Sequence, residues 1–190
     1  AVHPPVIPEV LGKLRGCLRD DAIVISLAPK CTLNQLSSQL NGFDRLARVI
    51  PNAASIICAG YNPVAWRDGL TEECRDQVRS VLQPLGQTPE VSESTLETYA
   101  VVTAMGPTYF WPQWTELASL AKTFGLSPEE ADKAVQAMLK GAVATLFDSG
   151  LNADEVMDLI PVKPLAEFEP VMRETFQGKL SAVMEKIRPT

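Results

Sequence analysis

Residues 94–165 read STLETYAVVTAMGPTYFWPQWTELASLAKTFGLSPEEADKAVQAMLKGAVATLFDSGLNADEVMDLIPVKPL, and this stretch decides the fold. Its hinge is the segment AMGPTY at 104–109. After the hinge, apolar residues recur every three or four positions, which is the spacing of amphipathic helices. Before the hinge, the chain reads as the end of an α/β unit. We therefore expect a domain boundary between residues 92 and 93, with the functional chemistry where the two parts join.

The first part of the chain alternates helix and strand patterns. Apolar residues at helical spacing predict a surface helix over 6–19, and Thr32 is expected to cap a second helix over 33–40. The β-branched run at 22–27 predicts a strand buried on both faces of a parallel sheet, and a second buried strand is predicted at 45–50. This alternation at these lengths is typical of βαβ units.

The remainder of residues 1–92 is interpreted as two more strands around one helix. The sequence AASIICAGY at 53–61 predicts a strand, and 87–91 predicts a short last strand. Between them, Thr71 followed by two glutamates indicates the start of a helix, because a hydroxyl cap and early acidic residues favour a helix N-terminus. The predicted class of residues 1–92 is therefore α/β.

Two helices surround the hinge. Ser94 is expected to cap the first, and Gly106–Pro107 leads into the second, which is expected to end at Gly125. Pro112 predicts a kink or a late start near Trp111, because a proline inside a helix removes one hydrogen bond. The side chains expected to face inward are Leu96, Tyr99, Ala100, Val102, Thr103, Phe110, Trp114, Leu117, Ala118 and Ala121.

Three further helices are predicted after the hinge. Ser127–Glu130 is a capping box with proline at the first helical position, which begins a long apolar helix over 127–149. Asn152 caps a short helix to Ile160, and a last helix covers 167–187. The two long helices have more apolar face than one subunit can cover, so we expect a homodimer through them.

Composition and charge exclude some functions. The chain has 190 residues, of which 46% are hydrophobic and 21% charged, as in ordinary globular proteins. The net charge of −6, without any cluster of Lys and Arg, opposes binding of nucleic acid. No apolar run approaches the length that crosses a bilayer, so we expect no membrane contact and a cytoplasmic location.

The four cysteines are scattered along the chain, without a paired motif or a neighbouring histidine. This pattern indicates small buried apolar side chains in a reducing compartment, and no metal site. The residues concerned are Cys17, Cys31, Cys58 and Cys74.

Few residues point to catalytic chemistry by themselves. His3 is the single histidine, so no Ser/His/Asp set exists, and the paired glutamates at 72–73 and 129–130 are explained by their place in first helical turns. The aromatic residues of 109–114 could line a pocket for a flat ligand or form core. No catalytic residue is assigned.

Five segments share a family resemblance. AVHPPVIPEVLGKLR at 1–15, DAIVISLAPKCTLNQL at 21–36 and RVIPNAAS at 48–55 are similar to the AVKPQ, VISxAAG and RVMPN motifs of the pyrroline-5-carboxylate reductase family. TAMGPTYF at 103–110 stands where that family has SGSGPAY, and 125–150 resembles its long dimerisation helix. The resemblance covers the whole chain.

The resemblance implies the C-terminal part of a Rossmann-type nucleotide domain followed by an all-helical dimerisation and substrate domain over 93–190. It implies reduction of a cyclic imine with NADPH or NADH, as in proline biosynthesis, and a small-molecule substrate. The residues implied for cofactor contact are Val2, His3, Pro4, Leu27, Ala28, Pro51 and Asn52. Those implied for substrate contact are Met105, Gly106, Pro107, Thr108 and Lys163.

Two departures from the family pattern matter. The family's first strand and its GxGxxG turn lie upstream of Ala1, so we expect a downstream piece of a longer protein that does not hold a dinucleotide tightly alone. Where the family has SPGGTT, residues 160–165 read IPVKPL, and the serine before Gly-Pro is Met105. We therefore expect an altered substrate, with Lys163 either contacting a different carboxylate or simply solvated.

Three functions remain open from the sequence. The first is a reductase of this family with an altered substrate. The second is a catalytically silent relative kept as a dimeric scaffold or regulatory protein, which the lost hydroxyls of the loop support. The third is a reductase of a hydroxy or keto acid, for which Lys140 is the candidate catalytic group on the long helix.

Overall fold

The computed structural model describes residues 6–189, so Val2, His3 and Pro4 lie outside the described residues. The chain divides into two compact units, one formed by residues up to Pro107 together with those from Gln177 onward, and one formed by Thr108–Phe176. The domain boundary between residues 92 and 93 stays a prediction. The elements in chain order are α1 (Ile7–Leu14), β1 (Val24–Ser26), α2 (Leu33–Gln39), β2 (Leu46–Val49), β3 (Gly60–Tyr61), β4 (Val64–Trp66), α3 (Glu72–Leu82), β5 (Gly86–Gln87), α4 (Leu96–Tyr99), α5 (Pro107–Thr123), α6 (Pro128–Asp148), α7 (Ala153–Asp158) and α8 (Glu169–Ile187).

The first unit is built on a sheet with the strand order β1-β2-β4. β1 and β2 are parallel, with Val24 opposite Leu46, and β4 runs antiparallel to β2. The predicted parallel pair is thus confirmed. All four residues of the central strand β2 are buried, whereas β1 is only partly buried because it has one neighbour. The expectation that 22–27 is buried on both faces is therefore wrong.

Helices cover both faces of this sheet. Successive side chains of a strand point to opposite faces, so β2 packs against a different set of helices on each face. On one face, Leu46 packs with α1 and α2, and on the other, Ala47 and Val49 pack with α3. A further cluster joins Ala65 of β4 to α4, to the π-helical segment Ala100–Ala104 that follows it, and to Ile187 at the end of α8. The segment before the hinge thus belongs to the core of the first unit.

The strand expected at 53–61 is mostly a 3-10 helix, Ala53–Ile57, and only β3 at its end is extended. The side-chain oxygen of Asn52 accepts a hydrogen bond from the backbone N–H of Ala54 and begins the turn. Cys58 ends it in the left-handed region, at φ 60°. Such a local side-chain cap competes with strand pairing, which explains the error. The expected last strand at 87–91 reduces to β5 and an isolated bridge between Val64 and Glu90.

Around the hinge, three expectations are wrong. Ser94 does not cap α4, which follows a 3-10 turn at Glu93–Thr95, and Val102 is exposed rather than inward. α5 begins at Pro107 and runs through Pro112, so the late start near Trp111 is also wrong. Proline suits the first helical position, and the missing N–H of Pro112 costs only one hydrogen bond inside α5.

The later helix starts are confirmed. Ser127 and Glu130 form the reciprocal capping box of α6, and Asn152 forms one with Glu155 at α7. α7 ends at Asp158, two residues before the expected end, and α8 follows a 3-10 turn at Ala166–Phe168. Local capping chemistry fixes these boundaries, because each cap satisfies backbone donors that the helix leaves free.

Most apolar side chains of the second unit are exposed. Of the described side chains of α5 and α6, Ala131 alone is buried, so the inward stripe expected for α5 is not buried within this chain. The second unit therefore presents apolar surface that the described residues of this chain do not cover.

No helix among residues 6–189 is both long enough and apolar enough to span a bilayer.

The cysteines do not behave as one group. Cys74 is buried, as expected, and Cys31 is partly buried, but Cys17 and Cys58 are exposed. The expectation of four buried thiols is therefore wrong for these two, because both lie in turns at the surface of the first unit.

Candidate functional site

The predicted cofactor residues follow two neighbouring parallel strands. Leu27 and Ala28 come directly after β1, and Pro51 and Asn52 follow β2 by one residue. Because parallel strands end at the same edge of a sheet, both segments lie at one carboxyl edge. Leu27 is 44% exposed there and Pro51 is also exposed. This edge is the candidate site in the first unit.

The backbone N–H and both polar side-chain atoms of Asn52 form hydrogen bonds within the chain. Its backbone N–H donates to Oδ1 of Asn62 at 2.9 Å, and its own Oδ1 accepts from the N–H of Ala54 at 2.9 Å. Its Nδ2 donates to the carbonyl oxygen of Thr103 at 2.6 Å. The side chain therefore joins the carboxyl edge of the sheet to the segment before the hinge.

The predicted substrate segment Met105–Gly106–Pro107 follows Thr103 directly. Thr103 lies in the π-helical segment, whose irregular hydrogen bonding includes a bond from Met105 N–H to Ala100 O at 3.0 Å. Gly106 is buried, and a Cβ there would come within 2.2 Å of the Val102 carbonyl oxygen. Only glycine fits this position, so the backbone path of the hinge is closely defined.

A buried ion-pair network supports the loop after β1. Arg48 of β2 contacts Glu97 at 2.6 Å and Glu93 at 2.9 Å. The same carboxylates accept backbone N–H groups of the loop, Glu97 from Lys30 at 3.2 Å and Glu93 from Leu33 at 2.6 Å. Glu93, before α4, and Glu97, inside α4, thus hold the loop from residue 28 to 33 through charge-assisted hydrogen bonds.

Cys31 lies in this loop, beside the network. Burial raises the pKa of its thiol, while the positive charge of Arg48 acts in the opposite direction with a smaller effect. A raised pKa keeps the sulfur protonated near neutral pH, and a protonated thiol is a poor nucleophile. Cys31 is partly buried and packs against the apolar cluster that contains Leu33 and Leu36.

Thr108 and Lys163 belong to the second unit. The ammonium of Lys163 lies 3.1 Å from the carboxylate of Asp158, and both side chains are solvent-accessible. Lys140, the candidate for hydroxy-acid chemistry, lines an apolar groove between α5 and α6 together with Asp132 and Asp148. Lys163 therefore has an acidic partner, Asp158, and Lys140 lies in an apolar groove that two aspartates also line.

The aromatic residues after the hinge pack on one another. Phe110 stacks on Trp114 with ring centroids 5.9 Å apart, and Phe176 contacts both Phe110 and Tyr109 at 5.9 Å. Burial raises the pKa of Tyr109, so this hydroxyl stays protonated at neutral pH. Trp111 and Trp114 also line the groove beside Lys140.

Several residues of this arrangement were missed by sequence reasoning. Asn62, Arg48 and Glu97 are buried polar residues that hold the two loops of the carboxyl edge. One signal was available for the ion pair: an arginine inside an apolar strand needs a buried partner, and Glu93 and Glu97 are spaced one helical turn apart. Nothing in the sequence indicates the partner of Asn62.

The carboxyl edge offers apolar surface that a nicotinamide ring could contact. Leu27 and Pro51 give an exposed apolar surface at strand ends, where such cofactors lie in doubly wound folds. Within residues 6–189 no segment has the GxGxxG pattern that binds a pyrophosphate. These residues therefore fit one part of the cofactor only.

Solved structures share this combination of an α/β unit and an apolar helical unit. Pyrroline carboxylate reductase of Plasmodium falciparum with NADP bound matches 99% of this chain and 78% of that chain, with a TM-score of 0.85 and 20% identity. The enzyme of Streptococcus pyogenes matches 98% of this chain and 72% of that chain, with a TM-score of 0.78 and 20% identity. The fold is thus shared over nearly the whole chain.

Curated sequences point to the same group. The pyrroline-5-carboxylate reductase of Escherichia coli is 23% identical over 185 residues, which are 97% of this chain and 69% of the relative. That of Methanosarcina acetivorans is 23% identical over 160 residues, or 84% of this chain and 59% of the relative. The chain is therefore similar in sequence to pyrroline-5-carboxylate reductases over most of its length, at low identity. No protein-family model matches the chain.

Proposed function

We propose that the chain is part of an NAD(P)-dependent reductase that acts on a cyclic imine or a related small acid. The observation that carries the proposal is the hydrogen bond between Asn52 and Thr103, at 2.6 Å. It connects the predicted nicotinamide edge with the predicted substrate segment in one compact unit. The reductases that the chain resembles supply the reaction type, and one of them binds NADP.

The roles proposed for this chain's residues follow from their surroundings. Leu27 and Pro51 would cover one face of a nicotinamide ring and exclude water from it. A nicotinamide cofactor supplies the hydride when it is bound. The Met105–Gly106–Pro107 backbone would orient the substrate, which accepts the hydride. Holding the two reacting atoms within contact distance is the main contribution that such a site makes to the reaction rate.

We propose that the substrate differs from pyrroline-5-carboxylate. Residues 160–165 carry no side-chain hydroxyl and no glycine, so the donors and the close backbone approach implied by the family loop are lost. Lys163 supplies a positive charge in this loop, and Asp158 already neutralises part of it. An acid that can displace Asp158 is therefore the substrate class that we favour.

The experiment is a titration of the full-length protein with NADPH, followed by nicotinamide fluorescence. Binding should be followed by oxidation of NADPH with a panel of cyclic imines that differ in the position of the carboxylate. Turnover with at least one imine is the expected result. If NADPH binds and no imine or small keto acid is reduced, the reductase proposal is rejected.

A second candidate function is a catalytically silent dimeric scaffold. The loss of every hydroxyl from the loop, together with the pairing of Lys163 with Asp158, favours this alternative. The two candidates differ at the first step of the experiment, because a scaffold needs no nicotinamide. Absence of NADPH binding by the full-length protein would favour the scaffold.

We also propose that the protein is a homodimer formed through α6 and α8. Large apolar side chains of both helices are exposed in the single chain, including Met138, Val143, Phe147, Val171 and Met172. Contiguous apolar surface of this extent is uncommon on monomers and marks an interface. A cytoplasmic location remains a prediction from the sequence.

A further inference from the structure

The carbonyl oxygen of Thr103 lacks the donor that a regular helix would give it. In an α-helix, this oxygen accepts from the N–H four residues later, and that residue is Pro107, which has no N–H. The side-chain Nδ2 of Asn52 lies 2.6 Å from the Thr103 oxygen and donates to it instead. Asn52, in the loop after β2, thus supplies a hydrogen-bond donor to the segment before the hinge.

Asn52 is itself held in place by a buried residue. Asn62 is 1% exposed, and its Oδ1 accepts from the Asn52 N–H and from Ser55 Oγ, both at 2.9 Å. The Asn62 N–H donates to the Gln87 carbonyl at 2.8 Å, which anchors it to the end of β5. The Asn52 backbone is therefore held by Asn62, and its side-chain Oδ1 is held by the Ala54 N–H.

The backbone around Asn62 leaves little room for adjustment. Gly60 and Gly86 approach so closely that a Cβ on Gly86 would lie 2.3 Å from the Gly60 carbonyl oxygen. Gly60 in turn lies against Ser55 and Asn62, where its own Cβ would clash. The chain of contacts from β5 through Asn62 to Asn52 is thus tightly packed.

We propose that Asn52 is a positioning residue, which holds Met105–Gly106–Pro107 at a fixed place relative to the carboxyl ends of β1 and β2. Its catalytic consequence rests on the proposed reductase function. Both polar atoms of the Asn52 side chain are used inside the chain, so it acts on the substrate segment through Thr103. Loss of the bond would let the substrate segment move relative to the cofactor edge.

The variant Asn52→Asp separates the two roles of this side chain. Aspartate keeps the oxygen that caps Ala54 but cannot donate to the Thr103 carbonyl. Pro107→Ala, added to it, returns a backbone N–H at the position that serves Thr103 in an α-helix. Asn152→Asp is the matched control, because Asn152 also caps a helix through Oδ1, with bonds to Asp154 and Glu155 of 3.0 Å.

The first measurement is hydrogen exchange of peptides that cover residues 100–111 in the full-length protein, and it needs no activity. Asn52→Asp should speed exchange of these peptides by about tenfold, because a hydrogen bond is replaced by repulsion between two oxygens. The double variant with Pro107→Ala should return to within about twofold of the parent, and the control should not change. Unchanged exchange in Asn52→Asp would overturn the proposal.

The second measurement is steady-state turnover with the best substrate found for the parent protein. Asn52→Asp should lower kcat by about tenfold or more and leave the KM for NADPH within about twofold, because misplacement affects the reacting geometry more than cofactor binding. Full kcat in this variant refutes the positioning role, even if exchange is faster. If the parent reduces nothing, the proposed function fails, and hydrogen exchange alone decides whether Asn52 positions the hinge.

Discussion

The guanidinium of Arg48 and the carboxylate of Glu97 form an ion pair of 2.6 Å whose side chains are 1% and 2% exposed. At the surface of α6, Lys133 and Glu129 form a pair of almost the same length, 2.7 Å, with side chains 74% and 78% exposed. Equal distances therefore occur in opposite surroundings. Removing one partner of the buried pair leaves a charge that water cannot reach, whereas removing one partner of the exposed pair does not.

The variant Glu97→Gln should lower the free energy of unfolding by about 3–4 kcal/mol, because it leaves Arg48 with less compensation inside the protein. Glu129→Gln is the matched control and should leave the denaturation midpoint unchanged within error. Chemical denaturation of the two variants beside the parent protein measures both effects. Similar midpoints for the two variants would show that the Arg48 network does not stabilise the first unit.

A second prediction concerns the contact between β3 and β5. Gly86 has φ 125°, and its Cβ would meet the Gly60 backbone, so Gly86→Ala should cost about 2 kcal/mol or more. Gly12 in α1 has open space around its Cβ position, so Gly12→Ala should raise stability by about 0.5 kcal/mol. Thermal unfolding of both variants checks the pair. The prediction is wrong if Gly86→Ala is tolerated as well as Gly12→Ala.

The pH dependence of stability should reflect Glu90. Hydrogen bonds from Arg79 hold the pKa of its carboxyl below the ordinary value of 4.5. A carboxyl with a lowered pKa in the folded state stabilises the fold above its unfolded pKa, and this contribution is lost as pH falls through the folded pKa. We therefore expect Glu90→Gln to reduce Tm near neutral pH, and this difference to shrink as pH falls below the ordinary value and to vanish once pH has passed through the lower pKa of the folded state. A difference in Tm that persists into strong acid would refute this assignment.

Local chemistry explains which parts of the fold could be predicted from the sequence. The caps at Thr32, Thr71, Ser127 and Asn152 act within four residues of chain, so these four helix starts were predictable. β1 follows from the β-branched run at 22–27, and the alternation of helix and strand patterns predicted β2 as its parallel neighbour. The strand predicted at 53–61 was mostly wrong, because the cap supplied by Asn52 outweighs the strand pattern.

The candidate site depends on contacts that join distant parts of the chain. Arg48 and Glu97 are 49 positions apart, and Asn52 and Thr103 are 51 apart. No periodicity encodes such pairs, since they arise only when β2 and the loop after it pack against α4 and the segment after it. The family resemblance indicated both segments by their motifs, but the bond between them became evident only from the packing.

The exposed face of α6 leads to a prediction about assembly. Phe147 is 75% exposed, and we expect Phe147→Glu to convert the dimer to a monomer, because a buried charge at an apolar interface is unfavourable. Val81 in α3 of the first unit is 66% exposed, so Val81→Glu is the control and should leave the dimer intact. Sedimentation at micromolar concentration distinguishes the two. A parent protein that sediments as a monomer would reject the dimer itself.

The last prediction tests the loop before α8. Replacing Val162→Gly, Lys163→Gly, Pro164→Thr and Leu165→Thr together in the full-length protein returns two hydroxyl donors and two flexible glycines. This variant should reduce pyrroline-5-carboxylate about tenfold or more faster than the parent, because each recovered donor stabilises the bound acid by about 1 kcal/mol. Lys163→Gly alone is the control, since it releases Asp158 without adding a donor and should give no gain. If the variant with all four substitutions folds and binds NADPH but reduces pyrroline-5-carboxylate no faster than the parent, the loop is not the reason for an altered substrate.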